Sequence, residues 1–164
     1  MLPRSLWKSS LALIFAVCAW GSAARAQMPN AYGLPISVED AKKVAAPALA
    51  EARKNNWKMA VAIVDPSGNL IYFEKMDNTQ LAASDIAIQK ARAAALLKRP
   101  TKALQDALAA GGEGLRILGL PDSVPVEGGI PLIVDGKIVG AIGMSGQASN
   151  QDAQCAQAGV NALK

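Results

Sequence analysis

The sequence predicts an α+β domain in which an antiparallel sheet of about five strands is packed by helices, in the order α, ββ, αα, ββ(β), α. Three observations carry that prediction. Two pairs of short apolar runs rich in β-branched residues are each closed by a turn, Asp65-Pro66-Ser67-Gly68-Asn69 in one and Asp135-Gly136 in the other. An alanine-rich stretch with helical spacing lies between the pairs. The 164 residues, 51% apolar and 18% charged, suffice for one core and exclude a disordered chain, a collagen-like repeat and a large multidomain machine.

The first 26 residues read as a segment to be removed. Arg4 and Lys8 precede an uninterrupted apolar run from Leu11 to Trp20, and Ala24-Arg25-Ala26 offers small residues where signal peptidase inspects the chain. Ten apolar residues are half of the roughly 20 that span a bilayer core, so no stable membrane anchor is expected. Phe15 and Val17 spoil a lipoprotein box at Cys18. The expectation is a signal peptide over 1–26, an extended arm over 27–36 with Pro29, Gly33 and Pro35, and a single domain over 37–164, with the product periplasmic or secreted. Loss of Arg4, Lys8 and Arg25 takes the formal charge from +4 to +1. With only Tyr32, Trp57, Tyr72 and Phe73 left as aromatics, nucleic acid is not an expected partner. Cys155 is then the lone cysteine, so stability comes from the core or from association.

Ser37 with Asp40 three residues on predicts a helix start, and Val38, Ala41, Ala45, Leu49 and Ala52 continue it to about Asn55, with Pro47 either kinking it or lying where a missing hydrogen bond is tolerated. Lys58 to Val64 and Leu70 to Glu74 form the first hairpin, with Gly68 at positive φ. Leu81 to Leu97 is apolar nearly all round and predicts a buried helix whose alanines permit close backbone approach. Thr101 is read as the cap of a helix to about Ala110, which Gly111-Gly112-Glu113-Gly114 ends. Leu115 to Glu127 reads as a loop with a short edge strand near Val124 to Glu127. Ile130 to Val134 and Ile138 to Met144 flank an Asp-Gly pair of type I′ character, and a last helix starts after Ser149, with Asp152 at its third position.

The complete absence of histidine removes Ser-His-Asp and Cys-His nucleophile pairs, His-rich zinc sites and proximal-histidine haem. What chemistry is left falls on a few stretches. Gly143 to Ser149 runs from a strand into a helix N-terminus, where the Ser145-Gly146 amides either receive an anion or form an ordinary capped turn. Asp85, Gln89 and Arg92 form a polar stripe, read either as an Asp85–Arg92 network or as a ligand-facing row. Glu127-Gly128-Gly129-Ile130-Pro131 either opens a backbone-lined pocket or makes a sharp lead-in to a strand. Lys90, Arg92, Lys98, Arg99 and Lys102 form a basic run without an acid, a solvated helix end or a docking face for an acidic ligand.

Read together, Val64-Asp65-Pro66-Ser67-Gly68-Asn69-Leu70, Met76-Asp77, Ser84, Lys90-Ala91, Gly128-Gly129-Ile130-Pro131, Asp135-Gly136, Gly140 to Gly143, Ser145-Gly146, Gln151-Asp152 and Ala158-Gly159 resemble the GlcG/HbpS family, found also as the C-terminal domain of PduO-type proteins. The likeness runs in order through Ser37 to Lys164. It implies a profilin-like fold, assembly into homo-oligomers (tetramer to octamer), and binding of haem or a related tetrapyrrole, with haem breakdown proposed for some members. Arg92 stands where many members have threonine after Lys-Ala.

The function expected is an exported oligomeric protein that binds haem or a related anionic planar ligand without turnover. A haem-degrading enzyme and a small-carboxylate-binding sensory or accessory module are the alternatives. The ligand pocket is expected where the hairpin ends meet the central helix and the final helix N-terminus. Its candidate residues are Lys90, Arg92, Gly128, Gly129, Ser145 and Gly146, with Tyr72, Met76 and Cys155 as further conceivable contacts.

Overall fold

The computed structural model describes residues 30–163, so the signal-peptide reading and the start of the arm lie outside the described residues. The arm carries a two-residue strand β1 (Ala31–Tyr32), and helix α1 (Val38–Lys54) follows. The Ser37 hydroxyl accepts from the Asp40 N–H at 3.1 Å and donates to the Asp40 carboxylate at 2.9 Å, which fixes the start of α1. Pro47 sits half-buried inside this helix, which continues through it.

Strands β2 (Ala60–Val64) and β3 (Leu70–Lys75) form the first hairpin, and β4 (Gly129–Val134) and β5 (Lys137–Ser145) the second. β2 and β5 pair antiparallel at the sheet centre, leaving β3 and β4 as edges, while β1 runs parallel beside the first residues of β5. Both turn predictions hold: Gly68 has φ +81°, and Asp135 and Gly136 have φ +48° and +71°, the pair of positive values that a type I′ turn needs. The Asp65 carboxylate organises the first turn, accepting from the Ser67 and Asn69 N–H groups at 2.8 and 2.9 Å.

Strand alternation sends Val61, Ile63, Ile142 and Met144 to one face, against α1 and helix α4 (Ser149–Val160), and Ala60, Ala62, Val64 and Ala141 to the other, against helix α2 (Ala83–Leu96). The second interface is almost all alanine, so α2 lies on the sheet at backbone distance. A Cβ on Gly143 would stand 2.0 Å from the Ala87 carbonyl oxygen. The α+β architecture is thus as predicted, with helices on both faces of the sheet.

Four local expectations are corrected. Leu81 lies exposed in the turn before α2, and Asp85 and Gln89 are exposed on it, so the first half of α2 has a wet outer side and only its alanine face is enclosed. Pro100, not Thr101, caps helix α3 (Thr101–Ala109), because the Thr101 hydroxyl is turned inward to accept from the Gly129 N–H at 2.9 Å. Residues Gly112–Gly119 form a 3₁₀ helix instead of an open loop, and Val124 to Glu127 pairs with no strand. Ala148, not Ser149, caps α4, with the Gln151 side chain accepting from the Ala148 N–H at 3.2 Å.

Candidate functional site

The elements named by sequence do converge: the end of β5, the middle of α2 and the start of α4 meet around Lys90. Its ammonium is 1% exposed and donates to the Asp152 carboxylate at 2.7 Å and to the Met144 carbonyl at 3.2 Å. The second Asp152 oxygen accepts from the Gln147 N–H at 3.1 Å. Burial pushes the Asp152 carboxyl above the ordinary value, and the hydrogen bond from Lys90 with the amides of Gln147 and Gly146 offsets only part of that. Gly128, at φ +125°, is required here, since a Cβ would come within 2.9 Å of the Lys90 Nζ and the Asp152 Cβ. Gly129 lies as close to the Lys90 backbone, and Gly146 to the Lys58 carbonyl. Ser145 is 3% exposed. Lys90, Gly128, Gly129, Ser145 and Gly146 therefore share one place, and it is filled by protein: the cation expected for a ligand carboxylate already holds Asp152.

Arg92 is elsewhere. Two residues along a helix turns a side chain roughly 200° away, so Arg92 leaves α2 on the side opposite Lys90. It donates to the Gly68 carbonyl at 3.0 Å and approaches the Asp122 carboxylate at 3.4 Å, so its partner is not Asp85. With Gln89, Asp122, Ser123 and Val124 it lines a cleft of about 260 Å3, in which the Ser123 hydroxyl is buried without a hydrogen-bond partner.

A larger cleft, about 480 Å3, opens between the arm, the β2–β3 turn and the end of α2, lined by Tyr32, Gly33, Pro35, Pro66, Ser67 and Leu96. This is within the roughly 300–1,000 Å3 of small-molecule sites, and its walls are mainly apolar. Two cations stand outside this lining, in contact with its residues or their neighbours. Lys98 Nζ lies 4.1 Å from the Tyr32 ring centroid, and Arg92 holds Gly68 next to Ser67. Lys98 reaches Tyr32 from a left-handed backbone, φ +54°, just past the end of α2. The Tyr32 hydroxyl donates to the Ala95 and Leu96 carbonyls at 3.0 and 3.2 Å, closing the helix end and fixing the ring. Burial pushes the Tyr32 hydroxyl above the usual phenol range.

Tyr72 and Met76 lie apart from both clefts. The Tyr72 hydroxyl donates to Glu74 at 2.8 Å, and Met76 lines a charged hollow of about 380 Å3 with Arg53, Lys58, Glu74, Lys75 and Asp77. Cys155 is fully buried, and desolvation pushes its thiol up to about 12, which leaves it inert. The basic run is divided: Lys90 is buried, Lys102 pairs with Asp106, the Arg99 Nε donates to the Leu97 carbonyl, and Arg92 and Lys98 adjoin the clefts. Tyr32 was not singled out by sequence. Its only signal was an aromatic within a Pro/Gly-rich arm.

Residues 36–161 match the family described as haem degrading protein HbpS-like. The chain belongs to this HbpS-like family. It is 38% identical to protein GlcG of Escherichia coli K12 over 110 residues, 67% of this chain and 81% of GlcG. Its fold superposes on a crystal structure of a double mutant of HbpS from Streptomyces reticuli with TM-score 0.74 and 25% identity, covering 99% of both chains. It superposes on a crystal structure described as a PduOC:heme complex with TM-score 0.72 and 28% identity, covering 80% of this chain and 96% of the other. The GlcG/HbpS resemblance seen in the motifs is thus correct. No helix among the described residues is long and apolar enough to cross a membrane.

Proposed function

We propose that this HbpS-like protein is exported, assembles into a homo-oligomer of four to eight subunits, and binds haem or a related anionic planar ligand without turnover, in the cleft between the arm, the β2–β3 turn and the end of α2. The observation that carries the site is an apolar cleft with Lys98 and Arg92 beside it, in a chain similar to a domain whose crystal structure contains haem. An apolar wall takes the face of a tetrapyrrole, and cations meet its carboxylates through charge-assisted contacts worth about 1.5 to 3 kcal/mol each. Export is supported by the tripartite N-terminus and oligomerisation by the exposed Leu34, Leu81 and Leu118.

The fit is partial. The cleft suits the plane and the carboxylates of haem, but it offers iron no strong donor: its polar side chains are Tyr32, whose proton is held by two carbonyls, and Ser67. This chain's residues bind and orient the ligand. The family description favours haem degradation as a second reading, which release of iron from haem-loaded protein under a reductant would support.

Titration of purified protein with haem tests the proposal. A Soret shift saturating at one equivalent per subunit is expected, with Arg92→Ala weakening binding by roughly 10- to 100-fold. Absence of saturable binding refutes the function, and unchanged affinity in folded Arg92→Ala removes Arg92 from the site. Light scattering that returns a concentration-independent monomer refutes the assembly, and a soluble cytoplasmic protein retaining residues 1–26 refutes export.

A further inference from the structure

We infer that the cleft holds its tetrapyrrole by the plane and the carboxylates and not by the metal, so that iron-free protoporphyrin binds as tightly as haem. This rests on the preceding reading of the cleft.

Among the described residues, the side chains able to ligate iron lie away from the cleft or are already engaged. Histidine is absent from the sequence. The Cys155 thiol is sealed in the core behind α1 and α4, and Met59 and Met144 are likewise fully buried. Met76 lines the charged hollow beside Lys58, apart from the cleft. The Tyr72 hydroxyl is engaged by Glu74.

Tyr32 is the phenol at the cleft, and its surroundings oppose ligation. Tyrosine binds ferric iron through its phenolate oxygen. Losing the proton would break the bonds to the Ala95 and Leu96 carbonyls and leave an anionic oxygen 3.0 and 3.2 Å from two carbonyl oxygens. The burial that already raises this hydroxyl acts in the same direction. What the cleft does offer is shared by any tetrapyrrole with two carboxylates: apolar contact from Pro35, Pro66 and Leu96 in its lining, and, outside the lining, the charge of Lys98 over the Tyr32 ring and of Arg92 bonded to Gly68 next to Ser67.

The test compares haem, protoporphyrin IX and its dimethyl ester on the full protein, by Trp57 quenching for all three and by the Soret band for haem. Expected are dissociation constants for haem and protoporphyrin within about 3-fold of each other, and an ester at least about 10-fold weaker. Lys98→Ala should weaken both acids by similar factors, and Tyr32→Phe should leave the position of the haem Soret band unchanged. Haem binding at least about 30-fold tighter than protoporphyrin, or a Soret shift in Tyr32→Phe, would overturn the inference while leaving haem binding intact. Failure of both acids to bind would instead overturn the haem reading itself. Tight binding of both that ignores Lys98→Ala and Arg92→Ala would move the site away from this cleft.

Discussion

Lys90→Met removes the sole buried cation among the described residues while nearly preserving side-chain volume. The substitution deletes the 2.7 Å ion pair to Asp152 and the bond to the Met144 carbonyl, leaving a carboxylate that is 2% exposed with backbone amides as its remaining partners. Breaking one side of a buried pair costs about 3–5 kcal/mol, because the surviving charge stays in a low-dielectric site. Burial already holds the Asp152 carboxyl above its ordinary 3.8, and losing Lys90 raises it further. An acid whose folded value exceeds the unfolded one binds more protons when folded, so the stability of the variant falls as pH rises through that folded value and recovers as pH is lowered. Urea unfolding of wild type and Lys90→Met at pH 7 and pH 5, at one protein concentration, should show a deficit of about 3–5 kcal/mol that shrinks at the lower pH. Adding Asp152→Asn, which keeps an acceptor for the Gln147 N–H, should recover at least about half of it. Haem affinity per folded subunit should stay within about 2-fold, since this ammonium does not reach the cleft. A deficit under about 1 kcal/mol, or one independent of pH, would refute the assignment of Lys90 as a structural ion pair.

Three further outcomes follow from the packing. Gly143→Ala should abolish folding or cost at least about 1–3 kcal/mol in urea unfolding, because its Cβ would stand 2.0 Å from the Ala87 carbonyl oxygen and 2.6 Å from the Ala91 nitrogen, and wild-type stability would disprove the close approach of α2. Cys155 should resist iodoacetamide at pH 8 until denaturant is added, its thiol being fully buried and pushed up to about 12; rapid alkylation of native protein would show that the α1–α4 interface opens. Burial pushes the Asp65 carboxyl up, but bonds from the Asn69 side chain and the Asn69, Ser67 and Gly68 amides outweigh it and hold it below 3.8. Its contribution is therefore present above 3.8 and lost as pH falls through the lower folded value, so Asp65→Asn should flatten this part of the acid-unfolding curve, and an unchanged curve would refute the role.

The fold was legible wherever short-range chemistry decides the backbone. Gly68 and Asp135-Gly136 announce their turns because few other residues tolerate positive φ, and the alanines of α2 announce a close helix–sheet interface because nothing larger fits it. The 3₁₀ helix at Gly112–Gly119 was hidden, since glycines that end one helix also read as a loop. Thr101 and Ser149 looked like caps by spacing. Only the packed structure shows that Thr101 is turned inward to Gly129 and that the Ala148 backbone takes the second role.

The sequence by itself determined the family, the order of the four α-helices and the two hairpins, and the exclusion of histidine chemistry, because these depend on residue type and local spacing. It also brought Lys90, Gly128, Gly129, Ser145 and Gly146 forward together, and they are neighbours. Only the tertiary structure decided what they do there. Asp152 lies 62 residues beyond Lys90, and no local pattern reveals that the two charges neutralise each other in the core. In the same way Tyr32 meets Ala95, Leu96 and Lys98 more than 60 residues away, and Arg92 is turned from Lys90 by the pitch of the helix they share. A charge is a ligand partner or a structural one according to what faces it across the fold, and that is set by the packing of distant segments.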